Sequence, residues 1–226
     1  MGLLGRTTLI ASLWERARDG QTVLLHGPVG SGKTAILDEL RRRAARLDVP
    51  CGISPQTATL GDLTRALTQA YPVVDPTGRT QRRLRSGLRL AIAARPGVLL
   101  LDHVVAAGAA VKGFLRSLRG TGLGVVLAGD VEHPRDHARL RALGLAYREI
   151  AIPPLDGRYC ARLLADGAHA LLVEGDRIAL VRMAEGRPGW ALAIARRLSD
   201  ERYWSGDRVR LELLRADVSI ALRLRD

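Results

Sequence analysis

Long apolar runs are missing from this 226-residue chain. A membrane-spanning helix needs about 20 apolar residues with few or no charges, and the most apolar stretch, residues 98–111, is interrupted by Asp102 and His103. No membrane partner is expected. The opening Met1 to Arg6 is too short an apolar run for a signal peptide. Arg6 also stands where myristoylation wants Ser or Thr, so the expected location is cytoplasmic. Cysteine is scarce. Cys51 and Cys160 lie far apart without metal-ligand spacing, which predicts two reduced, partly buried thiols. His133 and His137 are four apart but lack a third ligand, so they read as a surface pair rather than a metal site. Lysine is nearly absent: of 35 basic residues only Lys33 and Lys112 are lysines, in a chain of net charge +12. So basic a chain attracts nucleic acid or an anionic surface. An arginine skew also arises from genomic base composition, and both readings stand.

What remains is an ordinary globular composition, 47% hydrophobic and 26% charged, without repeats or low-complexity tracts. Apolar periodicity predicts a first helix through Leu9, Leu13 and Ala17, and another over residues 33–47 through Ile36, Leu37, Leu40 and Ala44. Short β runs are predicted at 21–26, 49–54, 97–101, 125–128 and 148–152, with helices at 60–71, 81–94, 109–118 and 137–143 between them. Residues 72–80, with two prolines and a glycine, form a loop. Alternation of strands and helices implies an α/β core with a parallel five-stranded sheet wrapped by helices. Pro153 and Pro154 close it, and everything beyond reads helical. The expected domains are therefore a nucleotide-binding core, 1–153, and a small all-helical lid with a C-terminal amphipathic helix, 154–226.

Gly27, Pro28, Val29, Gly30, Ser31, Gly32, Lys33 and Thr34 fit G-x-x-x-x-G-K-[ST] in full. Glycines let such a loop curl its backbone N–H groups inward onto phosphates, and the following helix N-terminus favours an anion. Lys33 reaches the β- and γ-phosphates of ATP, and the Thr34 hydroxyl binds Mg²⁺. Asp102, at the tip of the apolar run 98–101, fits the Walker B acid that holds Mg²⁺ through water, on a strand expected beside the P-loop strand. Its other reading is a helix cap. The GTPase motif N-K-x-D is absent, and the extra strand near 49–54 suggests an ATPase of the additional-strand class. His103 follows Asp102 and accepts a proton only when neutral. Asp130, ending the run 125–129, is a second candidate for activating water, or else a turn residue.

These residues resemble an AAA+ P-loop ATPase, on the branch of origin-recognition proteins, transposition ATPases and STAND regulators. Leu3, Leu4, Gly5 and Arg6 resemble the opening that packs near the adenine. Residues 27–34 and 98–102 resemble the Walker pair, and 125–130 resembles the first sensor. Residues 184–192, with Gly186, Arg187, Pro188, Gly189 and Trp190, resemble the start of the last lid helix. The resemblance implies ATP and Mg²⁺ as cofactors and oligomers whose arginine finger, from Arg139, Arg141 or Arg148, completes a neighbour's site; each also reads as a solvated charge. There are departures. His103 replaces a catalytic Glu, which implies slow hydrolysis. Gly189 and Trp190 stand where a sensor arginine is usual, leaving Arg187 as the nearest substitute. Two functions follow: an ATPase acting on double-stranded DNA or a DNA-bound complex, as transposition regulators do, or an ATP-dependent switch that recruits a protein partner without DNA. The terminal amphipathic stripe of Leu211, Leu214, Val218 and Leu222 packs on the lid, or it docks a partner or DNA.

Overall fold

The computed structural model describes residues 3–55, 59–72, 81–104, 108–130, 135–136, 138, 146–165 and 172–223. The chain divides into two compact units. The first is Met1–Gly27 with Lys33–Ala151, and the second is Pro28–Gly32 with Ile152–Asp226.

The first unit begins with α1 (Thr7–Arg18), β1 (Thr22–His26), α2 (Lys33–Arg46) and β2 (Cys51–Ser54). It continues with α3 (Leu60–Ala70), α4 (Gln81–Ala94), β3 (Val98–Leu101), α5 (Ala109–Ser117), β4 (Gly124–Gly129) and β5 (Arg148–Ala151). All five strands run parallel in the order β2-β3-β4-β1-β5, as the alternating pattern predicts. The fully apolar runs of β3 and β4 are buried along their whole length, because a parallel sheet covered on both faces leaves no side to solvent. Leu99, Leu101, Val125 and Leu127 point one way, into a core with Leu63 and Leu67 of α3, Leu88 and Ile92 of α4 and Phe114 of α5. Right-handed crossovers place α2 on the opposite face, where α1 also packs.

One expectation is corrected. The Asp102 strand is not next to the P-loop strand: β4 lies between β3 and β1. The chain leaves β1 through α2 to β2, at the sheet edge, and only afterwards fills the gap with β3 and then β4. The predicted helix at 137–143 and the loop at 72–80 lie largely outside the described residues.

The second unit carries α6 (Gly157–Ala165), α7 (Glu174–Ala184), α8 (Pro188–Arg197) and α9 (Leu211–Arg223) around a core that includes Cys160, Leu180, Ile194, Leu198 and Tyr203. Leu214 and Val218 of the terminal stripe are fully buried there, and Leu211 and Leu222 partly. The helical reading holds except for a short hairpin, in which β6 (Trp204–Ser205) pairs antiparallel with β7 (Arg208–Val209). Asp176 fastens this hairpin. Its carboxylate, 2% exposed, accepts from Arg208 at 3.0–3.2 Å and from the Val209 N–H at 3.0 Å. Both cysteines are thiols, Cys51 half-buried and Cys160 buried, and burial pushes that of Cys51 up to about 11. No helix among the described residues is long and apolar enough to cross a membrane.

Candidate functional site

Every strand of the sheet has its C-terminal end on the same edge, since all run parallel. In the first unit β1 ends at His26, Gly27 follows, and α2 starts at Lys33. Lys33 is buried, and its ammonium donates to the Gly27 carbonyl at 2.9 Å and forms an ion pair with the Asp130 carboxylate. The Thr34 hydroxyl donates to Asp102 Oδ2 at 2.7 Å. That contact reaches across β4, from the first turn of α2 to the tip of β3.

Asp102 is 4% exposed and held on both sides. Its own N–H donates to the Ser54 carbonyl at 2.9 Å, and its Oδ1 accepts from the His103 N–H at 3.0 Å. His103 Nδ1 stands 3.5 Å from the same oxygen. His103 adopts a left-handed backbone, φ 46°, and the chain then returns to the sheet through the Val104 N–H, which donates to Ala128 at 3.0 Å. A cation, a hydroxyl and two carboxylates thus gather at one sheet edge. This set has the chemistry to grip phosphate oxygens and to offer hard oxygen ligands to a divalent cation. Among the described residues no group of three or more His, Cys, Asp and Glu side chains could hold a metal ion.

The middle of the loop, residues 28–32, groups with the second unit. The Ser31 N–H donates to the Pro28 carbonyl at 3.1 Å, closing a turn. Gly30 and Gly32 have φ of 79° and 94°, a region open to glycine at little cost. The Gly189 N–H, near the start of α8, donates to the Gly30 carbonyl at 2.8 Å, and the Trp190 ring lies against Gly30. In the sequence Gly189 and Trp190 belong to the segment resembling the start of the last lid helix and stand where a sensor arginine is usual, with no contact to the loop expected of them. Their signal was the glycine itself: a Cβ at 189 would stand 2.8 Å from Gly30 Cα, so no larger residue fits this approach.

The remaining expected site residues lie as follows. Gly5 takes a left-handed φ of 66°, and Arg6 is 5% exposed, with its carbonyl accepting from Ile10 in the first turn of α1. Arg187 lies over the Trp190 ring at 5.3 Å and bonds Glu185 at 2.5 Å. Arg148 is exposed at the start of β5, in register with Val23 near the start of β1. That is the sheet edge opposite Gly27, so the structure does not bring it to Lys33. Arg139 and Arg141 lie outside the described residues.

A family model described as AAA domain matches residues 5–134. No curated protein sequence matches the chain. Among solved structures, it is similar to the Aeropyrum pernix ORC1 protein in complex with DNA, with a TM-score of 0.57 at 20% identity over 96% of this chain and 66% of that one. It is similar to domain III of the Thermotoga maritima replication initiation protein DnaA, at 0.54 and 20% identity over 96% and 93%. A STAND protein with a tetratricopeptide repeat sensor from Pyrococcus horikoshii matches at 0.55 and 13% identity, over 96% of this chain and 32% of its own. At these identities the likeness is one of fold.

Proposed function

Because this chain belongs to the AAA domain family, as an AAA+ P-loop ATPase, we propose that it binds ATP with Mg²⁺, hydrolyses it slowly, oligomerises, and acts on DNA or a DNA-bound complex in the manner of a transposition regulator. The observation that carries the nucleotide part is the 2.7 Å bond between Thr34 and Asp102. A hydroxyl and a buried carboxylate held together beside Lys33 are the ligands a Mg²⁺–triphosphate takes in P-loop enzymes. Thr34 and Asp102 offer the hard oxygens that suit Mg²⁺ and would hold it there. When bound, it neutralises charge on the phosphoryl group being transferred.

Roles follow for the chain's own groups. The backbone of residues 27–32 cradles the phosphates, and Lys33 holds the β- and γ-phosphates. Thr34 and Asp102 orient the ion. Asp130 and His103 are the candidates to position or deprotonate water. Gly5 and Arg6 border the adenine, and Arg187 senses the nucleotide from the lid. Arg141 and Arg148 act on a neighbouring subunit. The placement of Arg148 away from its own Lys33 supports a role in trans.

The net charge of +12 and the fold likeness to an ORC1 protein in complex with DNA support the DNA reading. A second reading, a switch that recruits a protein partner, draws on His103, which stands where a catalytic Glu is usual in the family. ATP turnover of the pure protein, with and without duplex DNA and at low and moderate salt, separates the two. Stimulation by DNA that fades with salt supports the first. ATP binding with negligible turnover in both conditions supports the second.

A further inference from the structure

Several arginines of the first unit are paired with carboxylates. In α2, Arg41 pairs with Asp38 at 3.5 Å, Arg42 and Arg46 pair with Glu39 at 2.7 and 3.0 Å, and Arg43 lies over the Trp14 ring. Helix α4 differs. It contains no acidic residue at all. Leu88 and Ile92, both fully buried, fix one face in the core, so Arg82, Arg83 and Arg89 fall on the outer face and are exposed. Among the described residues no carboxylate pairs with any of the three. Arg85, at the flank, is half-buried and engaged. The same layer adds Lys112 and Arg116 from α5, another helix without acid. The one carboxylate in α3, Asp62, is bonded by Arg65 at 3.5 Å. The terminal helix α9 makes the contrast: its Arg215 lies between Glu212 and Asp217 in sequence.

We propose that the outer face of α4 is a duplex DNA contact, with Arg82, Arg83 and Arg89 as its phosphate ligands. The proposal rests on the reading of this chain as acting on DNA, and it moves the contact from the terminal helix to α4. Arg82 and Arg89 stand two turns apart, a rise of about 10 Å. A duplex carries one charge per about 1.7 Å of axis with both strands counted, so roughly six phosphates lie along that length, about three of them on each strand. Contacts of this kind position the protein without reading bases. Binding through them is sequence-independent and strongly salt-dependent.

The test uses the full chain with ATP and a short fluorescein-labelled duplex, followed by anisotropy between about 50 and 200 mM salt. The triple variant Arg82→Ala, Arg83→Ala, Arg89→Ala is expected to bind at least tenfold more weakly, with its logarithmic salt slope reduced by about three, one per lost contact. A control triple, Arg18→Ala, Arg182→Ala, Arg215→Ala, removes equal charge from exposed positions elsewhere and is expected to change affinity less than twofold. Equal losses in both triples assign binding to overall charge and overturn the α4 surface. A wild-type chain that binds while the α4 triple binds equally well also overturns it, and leaves the DNA reading standing. A wild-type chain that fails to bind at the lowest salt removes the DNA reading and this surface together. Displacement of the duplex by poly-glutamate as readily as by unlabelled duplex reassigns the face to an acidic protein partner. Circular dichroism of both triples checks that they fold.

Discussion

The backbone N–H of Gly189 donates to the carbonyl of Gly30 at 2.8 Å, joining the start of α8 to the tip of the phosphate loop. Two glycines meet backbone to backbone, with the Trp190 ring closing the contact. The loop is thereby held from outside as well as by its own turn.

Gly189→Ala places a methyl group 2.8 Å from Gly30 Cα, and neither backbone can yield without moving the loop. Overpacking of this kind costs about 1–3 kcal/mol. ATP affinity is expected to fall at least tenfold, about 1.4 kcal/mol, with helix content unchanged. Calorimetric titration with ATP measures it. Wild-type affinity in this variant would show that the contact does not shape the loop.

Lys33→Ala removes the only ammonium in the phosphate loop. Loss of detectable ATP binding is expected with the fold retained, since the side chain lies at the end of β1 and outside the apolar core. Titration and circular dichroism on the same sample read both quantities. Unchanged binding would sink the P-loop assignment.

Asp130→Asn tests the partner of Lys33. The carboxylate competes with phosphate for the same ammonium, so its neutral replacement is expected to tighten ATP binding severalfold. If Asp130 also activates water, turnover falls about a hundredfold or more, a typical loss for a general base. Unchanged turnover would hand that role to His103 or another group.

Asp176 makes the second unit sensitive to acid. The hydrogen bond from Arg208, and after it the Val209 N–H, hold its carboxyl below the ordinary value against the opposing effect of burial. With the folded value depressed, the stabilisation is complete above the unfolded value of about 4 and disappears as pH falls through the folded one. Melting temperature is expected to drop below about pH 4. In Asp176→Asn this drop should shrink, while stability at pH 7 falls by about 1–3 kcal/mol from the poorly satisfied hairpin groups. Identical acid profiles for the two proteins would clear Asp176 of the effect.

The sheet and the phosphate loop were legible because their signals are local. Residues 98–101 and 125–128 are unbroken apolar runs, and a strand buried on both faces has no other composition available. Lys33, Thr34 and the loop glycines follow from the chemistry of one short segment. The position of β4 between β1 and β3 was not legible, since strand order depends on crossovers that composition does not encode. The bond from Gly189 to Gly30 spans more than 150 residues, and in the sequence Gly189 marks the start of a lid helix without its sensor arginine, with nothing to point to the loop. The hairpin at Trp204 was missed because two-residue strands have no period, and its anchor Asp176 sits 32 positions before Arg208.

The left-handed turn at His103 has a consequence for how this protein changes over generations. That conformation favours glycine and tolerates asparagine, aspartate and histidine, while other residues incur about 1–2 kcal/mol. Drift at position 103 is therefore filtered by the backbone before catalysis is consulted. A glutamate there is not a neutral exchange of one proton acceptor for another, because it carries that backbone cost as well.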